Sequence, residues 1–317
     1  MGAKAQSVLS LGSHGRVLAA TSRVVYLTFS HQELLWLTSS GEALHRRSIQ
    51  MAGPLPDVQP GTECVAVGGR LVLGSLGLDY SSAAVWLPVP VRAEDVLPPD
   101  RLPDYLASMI SSLAHLPTPA GFGLLVPAIL AHFVEHLTPP AIPEASLCAA
   151  RAWPAIRNLL DSCLAGDVPS ALCQAEHLIG LGEGLTPSGD DFVGALLYWL
   201  ARQREHRAGF LSLDPEDVAE FLRRSRPRTN EISHVLLADH ARGHASDALQ
   251  DFVDGLLTGQ KDETVARRAA RLIRIGHSTG WDLLAGVVAG AMATSGSHAL
   301  GRPVHRSAPI FLPNERG

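Results

Sequence analysis

Residues 87–103, LPVPVRAEDVLPPDRLP, decide how this chain is divided. Proline cannot donate to a β-ladder or continue a helix, so this passage reads as a linker between two kinds of structure. Before it, short runs rich in Val, Leu and Thr recur: Val8–Leu11, Arg16–Thr21, Arg23–Phe29, Leu34–Thr38, Cys64–Val67, Arg70–Leu73 and Ala84–Trp86. Gly-containing turns separate them. The clearest is Gly68-Gly69, a pair able to take the positive φ angles of a two-residue hairpin. After the linker the apolar period becomes helical, over 104–115, 125–137, 144–164, 168–179, 187–203, 215–225, 230–242, 245–257, 262–274 and 279–294. The expected fold class is α+β: a small N-terminal β barrel or sandwich over 1–97, then a mainly α-helical domain over 98–295 that carries the site. A proline-punctuated tail over 296–317 is expected to be irregular.

A chain of 317 residues, 46% apolar and 18% charged, has the composition of a globular protein with a sizeable core. Its net charge of −5 argues against nucleic acid as a main partner. No apolar run approaches the ~18 residues needed to cross a bilayer, and the first residues lack the pattern of a secretory signal. The expected location is the cytoplasm, with no membrane partner. Only Lys4 and Lys261 are lysines, and neither fits a P-loop; a Schiff-base cofactor has almost no lysine to use. Cys64, Cys148, Cys163 and Cys173 contain no C-x-x-C pair and read as free thiols.

The segment richest in chemistry is Gly180-Leu-Gly-Glu-Gly-Leu-Thr-Pro-Ser-Gly-Asp-Asp191. Glycines 180, 182 and 184 suit a tight bend or close approach to a ligand. Thr186 and Pro187 read as N-cap and first helical residue, so the loop feeds a helix N-terminus, a place where backbone N–H groups favour an anion. Asp190 and Asp191 in the same first turn would repel a bare anion. Either they point away, or they hold a cation or a substrate amine. A second segment is built alike: Ser188-Gly-Asp-Asp191 aligns with Thr279-Gly-Trp-Asp282, each followed by apolar and small residues. The expectation is that both helix starts converge on one polar pocket. Gly286 and Gly290 would let another helix pack closely. In a third segment, 226–234, Thr229 reads as an N-cap, Asn230 and Ser233 share a helix face, and Arg228 is placed to grip a carboxylate or phosphate.

Two weaker patterns compete. His132-Phe-Val-Glu-His136 matches a zinc-protease string, but no third ligand is identifiable, so no metal site is assigned to it. Gly276-His-Ser-Thr-Gly280 matches the nucleophile elbow G-x-S-x-G. The residues before it read as helix rather than strand, which leaves Ser278 without that context.

The strings GLGEGLTPSGDDFVGALL (180–197), RTNEIS (228–233) and GHSTGWDLLAG (276–286) resemble a bacterial family that includes the AllH-type subunit of oxamate carbamoyltransferase. The resemblance implies carbamoyl transfer between carbamoyl phosphate and a small amide or carboxylate such as oxamate, in purine or allantoin nitrogen metabolism. It also implies other subunits as partners. The expected catalytic residues are Ser188, Asp190, Asp191 and Asp282. Expected substrate contacts are Gly182, Gly184, Thr186, Gly189, Arg228, Thr229, Asn230, Ser233, Gly276, His277, Ser278 and Gly280. No cofactor is expected; from their own chemistry Asp190, Asp191 and Asp282 would either orient amide or amine groups or hold Mg2+. A non-catalytic assembly subunit, or a metal-dependent amidohydrolase using His132 and His136, are the alternative functions.

Overall fold

The computed structural model describes residues 1–98, 101–102, 105, 116–133, 146–206 and 213–299. The chain is α+β and forms two compact units, Met1–Pro90 with Ala245–Ala248, and Val91–His244 with Leu249 onward.

The first unit is one curled sheet, a half-barrel, with strand order β4-β3-β2-β1-β5-β6-β7. Its strands are β1 (His14–Ala20), β2 (Val24–Phe29), β3 (Glu33–Thr38), β4 (Ser48–Gln50), β5 (Glu63–Val67), β6 (Arg70–Leu73) and β7 (Leu76–Asp79). All pairings are antiparallel except β3 with β4. Gly68 and Gly69, at φ +56° and +79°, make the β5–β6 turn as expected. Val8–Leu11, expected as a strand, is not one. Ala5, Val8 and Leu9 fall at helical spacing, and α1 (Ala3–Leu9) buries them in the core with Val17, Leu27, Leu37 and Leu71. Leu11 is left 80% exposed. Ala84–Trp86 contributes only a single bridge, between Trp86 and Gly2. Sequence reading missed β4, three residues long, and β7, whose Leu-Gly-Leu-Asp is interrupted by glycine.

The second unit is helical. Its described helices are α2 (Val126–Phe133), α3 (Leu147–Leu164), α4 (Val168–Glu176), α5 (Ser188–His206), α6 (Pro215–Ser225), α7 (Glu231–Ala241), α8 (Asp247–Leu257), α9 (Asp262–Leu272) and α10 (Thr279–Ala299). Nearly all of the expected 104–115 helix lies outside the described residues. The last helix runs on to Ala299, so the first residues of the expected tail are helical; 300–317 lie outside the described residues. α6 starts as its sequence promised: the Asp214 carboxylate accepts from the Glu216 N–H at 2.8 Å, with Pro215 in the first turn.

Two helices, α5 and α10, form the centre of this unit and are buried on nearly every side. The backbones touch because Gly286 and Gly290 have no side chains. A Cβ on Gly286 would collide with the Phe192 carbonyl oxygen, and one on Gly290 would meet the Trp199 ring at 2.9 Å. Trp199 is fully buried, and its Nε1–H donates to the Thr294 hydroxyl at 3.0 Å, which satisfies the only polar atom of the indole. This contact fixes the two helices along their length and brings their N-terminal ends together.

Candidate functional site: two helix starts and a glycine turn

The loop before α5 bends at Gly180, Gly182 and Gly184, with φ of +82°, +118° and +94°, a region open to glycine and costly for other residues. The three do different work. A Cβ on Gly180 would strike the Arg228 carbonyl oxygen, and one on Gly182 would sit 2.6 Å from the Ser188 nitrogen, so these two are packing glycines. Gly184 faces open space, and Glu183 beside it is exposed. Gly189 lies against the Leu178 carbonyl, and its N–H donates to the Leu181 oxygen at 2.8 Å. The Asp190 and Asp191 amides donate to the Pro187 carbonyl. Several N–H groups of this helix start are therefore engaged within the chain.

The adjacent carboxylates divide sharply. Asp190 is turned inward and fully employed: Oδ1 accepts from the Gly180 N–H at 2.6 Å, and Oδ2 accepts from the Ser233 hydroxyl at 2.6 Å and from the Thr229 hydroxyl. It ties the glycine bend to the start of α7. Asn230, rather than Thr229, is the α7 N-cap; its Oδ1 accepts from the Ser233 N–H at 3.0 Å while its Nδ2 donates to the Leu185 carbonyl at 2.9 Å. Thr229 was expected to cap because it precedes the helical pattern, but its hydroxyl is drawn to the stronger, charged acceptor. Arg228 is exposed, and its Nη1 donates to the Glu176 carbonyl at the end of α4.

Asp191 points the other way, toward α10. There it meets Asp282, the matching residue of the second helix start. The correspondence is reciprocal: Thr279, which opens α10, lies with Thr186 at the Asp191 carboxyl, and Ser188, which opens α5, lies with Ser278 at the Asp282 carboxyl. The Thr186 and Thr279 hydroxyls are themselves 3.0 Å apart. The two glycines of the repeat also match. Gly280 presses on the Leu272 carbonyl as Gly189 does on that of Leu178. A Cβ at either position would push its helix start away from the chain behind it.

A third piece closes on this pair, and sequence reading did not find it. The turn Gly121-Phe122-Gly123 precedes α2. Gly121, at φ +53°, approaches so closely that a Cβ would collide with Asp282 Oδ1 and lie 2.9 Å from Ser278 Cβ. The Phe122 N–H donates to Asp282 Oδ1 at 2.6 Å, and Gly123 packs on the Trp281 side chain. A Gly-x-Gly embedded in the apolar run 119–131 was the available signal.

Both carboxyls are out of water, Asp191 at 4% exposure and Asp282 at 0%. Burial pushes the Asp191 carboxyl well above the usual range, and the nearby charge of Asp282 pushes it further. Burial also raises Asp282, to about 6, against the opposing hydrogen bond from Phe122. Each keeps one oxygen, Oδ2, buried and without a hydrogen-bond partner. Around them Gly121, Thr186, Ser278 and Thr279 are half-buried, while Gly276 and His277 are exposed.

The competing patterns fall as follows. His132 Nε2 is 2.8 Å from Asp161 Oδ1, and His136 lies outside the described residues. His240 is buried against Tyr198 and Gly194, and burial lowers it to about 4, so it is neutral at ordinary pH. Ser278 follows a helix and sits by Asp282, in the helical context that argues against a hydrolase elbow. No described group of three or more His, Cys, Asp or Glu is arranged to bind a metal.

Residues 178–291 match the family model for oxamate carbamoyltransferase subunit AllH. The match spans the glycine bend, α5, the α7 start that holds Asp190, and the Asp282 helix start. It therefore supports the family resemblance over the two helix starts that meet, while the sheet, α2 and α3 lie outside it. No curated protein and no solved structure matches the chain. No helix among the described residues is long and apolar enough to cross a membrane.

Proposed function

We propose that this chain is a working subunit of a carbamoyltransferase that joins the carbamoyl group of carbamoyl phosphate to a small amide-carboxylate of the oxamate type. The observation that carries the reading is the pair of buried carboxylates, Asp191 and Asp282, each with an unpartnered oxygen, at the two helix starts inside the family match. A protein does not leave buried charged oxygens unsatisfied without cost, so such atoms mark where an N–H donor or a positive charge is received.

The reaction needs little covalent help from protein. The acceptor's amide nitrogen attacks the carbamoyl carbon; an N–C bond forms, the C–O bond to phosphate breaks, and the amide proton leaves on the phosphate. The tasks left to the chain are holding both reactants close and balancing their charge. In this reading Asp191 and Asp282 receive the polar head of the acceptor. Thr186, Ser188, Ser278 and Thr279 orient it by hydrogen bonds, and the open stretch Gly182–Gly184 with Gly276 and His277 forms the approach. Asp190, Gly189, Thr229, Asn230 and Ser233 hold this arrangement in place rather than touch substrate, and Arg228 braces α4.

Calorimetric titration of oxamate and carbamoyl phosphate into the purified chain, alone and with co-purified partner subunits, tests this. Binding by the chain, or turnover on adding partners, is expected. Absence of both would refute the reading. Full turnover by the partners without this chain would favour a purely structural subunit.

A further inference from the structure

We propose that Asp191 and Asp282 together form a binding site for a hard divalent cation, Mg2+ by preference, through which an anionic acceptor is held. The proposal deepens the carbamoyl-transfer reading and rests on it for the acceptor, but the ion site stands on geometry alone.

Three observations carry it. First, the donor set consists entirely of oxygen. Two carboxylates converge from α5 and α10, and the hydroxyls of Thr186, Ser188, Ser278 and Thr279 surround them. Hard cations such as Mg2+ prefer this set, whereas zinc would call for His or Cys. Second, the oxygens that remain are the right ones. Asp282 Oδ1 is occupied by the Phe122 N–H, and Gly121 leaves no room beside it; Oδ2 of each aspartate is buried and without a partner. Third, the two carboxyls face one another: the largest charge acting on Asp191 is that of Asp282, with Asp190 behind it. Two such carboxyls out of water are both ionised only when a cation takes the place of the proton they would otherwise hold.

An amide N–H could satisfy the orphaned oxygens but would leave the charge. An oxamate-like acceptor brings a carboxylate of its own, and a bare acidic site would repel it. A divalent cation removes both objections. Mg2+ is commonly held by only one or two protein carboxylates, with water and substrate oxygens completing its shell. The adjacent carboxylate and amide oxygens of the acceptor are suited to that role.

The test uses the full chain and Mn2+, a paramagnetic stand-in for Mg2+, followed by electron paramagnetic resonance, with thermal melting as a second readout. The expected result is saturable uptake of one Mn2+ per chain, displaced by Mg2+, with a rise in melting temperature. Asp191→Asn and Asp282→Asn should each weaken uptake by about tenfold or more while the chain stays folded by circular dichroism. Glu220→Gln, at an exposed ion pair on α6, should bind like the parent. Absence of saturable uptake at millimolar Mn2+, or undiminished uptake by the double variant Asp191→Asn/Asp282→Asn, would overturn the proposal. Carbamoyl transfer at full rate in excess chelator would also overturn it while leaving the transfer reading intact. Mn2+ binding with no effect of oxamate on its signal would support the ion site and count against the acceptor.

Discussion

Asp282→Asn should make the metal-free protein more stable at neutral pH. Aspartate is normally ionised above 3.8, and burial raises Asp282 to about 6. At about 1.4 kcal/mol per pKa unit, the charged form therefore costs the folded state about 3 kcal/mol at pH 7.5. The folded chain binds this proton more tightly than the unfolded chain. Stability from this group therefore falls as pH rises from about 4 to about 6, and stays low above that. Asparagine carries no charge, its amide oxygen can accept from Phe122 N–H, and its NH2 can donate to the orphaned Oδ2 of Asp191. Other ionisable groups near this position are Asp190 and Asp191 on α5, Cys148 and Arg151 on α3 and Glu183 in the loop. His240 works in the opposite sense, since its burial as a neutral ring favours higher pH. Comparing variant with parent at each pH cancels that contribution. Denaturant titration in chelator should give a gain approaching about 3 kcal/mol at pH 7.5 that shrinks toward zero at pH 4. No gain at pH 7.5, or an equal gain at both, would refute the claim that Asp282 holds a costly buried charge.

Other outcomes follow from the same contacts. Asp190→Ala should destabilise by about 2–4 kcal/mol in denaturant titration, because three donors lose a buried charged acceptor; a change within half a kcal/mol would show that the bracket is unimportant. Gly286→Ala must force α5 and α10 apart and should cost about 1–3 kcal/mol or more by thermal melting, whereas Gly184→Ala meets no atom and pays only the strain of its positive φ. The Cys163 thiol, pushed up to about 12 by burial, should resist alkylation at neutral pH in the native chain, while exposed Cys173 reacts; mass spectrometry separates them.

The sequence made most of this architecture legible because its signals were local. The Pro-rich 87–103 passage marked the change of period, Gly68-Gly69 a hairpin, and Asp214-Pro215 a helix start. Where tertiary contacts decide, local patterns failed. The string Val8–Leu11 is a short Val- and Leu-rich run like a strand, yet the helical stripe of Ala5, Val8 and Leu9 is what the core needs. The paired motifs Ser188–Asp191 and Thr279–Asp282 pointed to the two helix starts that meet, but not to which of Asp190 and Asp191 would face α10. Asp190 and Asp191 are neighbours with identical chemistry, and a helix separates their directions by about 100°. Only the packing of α7 on one side and α10 on the other gives one a bracing role and the other a buried, unpartnered oxygen. The Gly121–Gly123 turn comes from far earlier in the chain, and no pattern near Asp282 points to it.

The most direct measurement is phosphate release from carbamoyl phosphate and oxamate by the chain with its co-purified subunits, comparing the parent with Asp191→Asn. The variant should remain folded by circular dichroism while turnover falls by about a hundredfold or more. A folded variant that releases phosphate at the parent's rate would contradict the assignment of the α5–α10 acid pair as the working site.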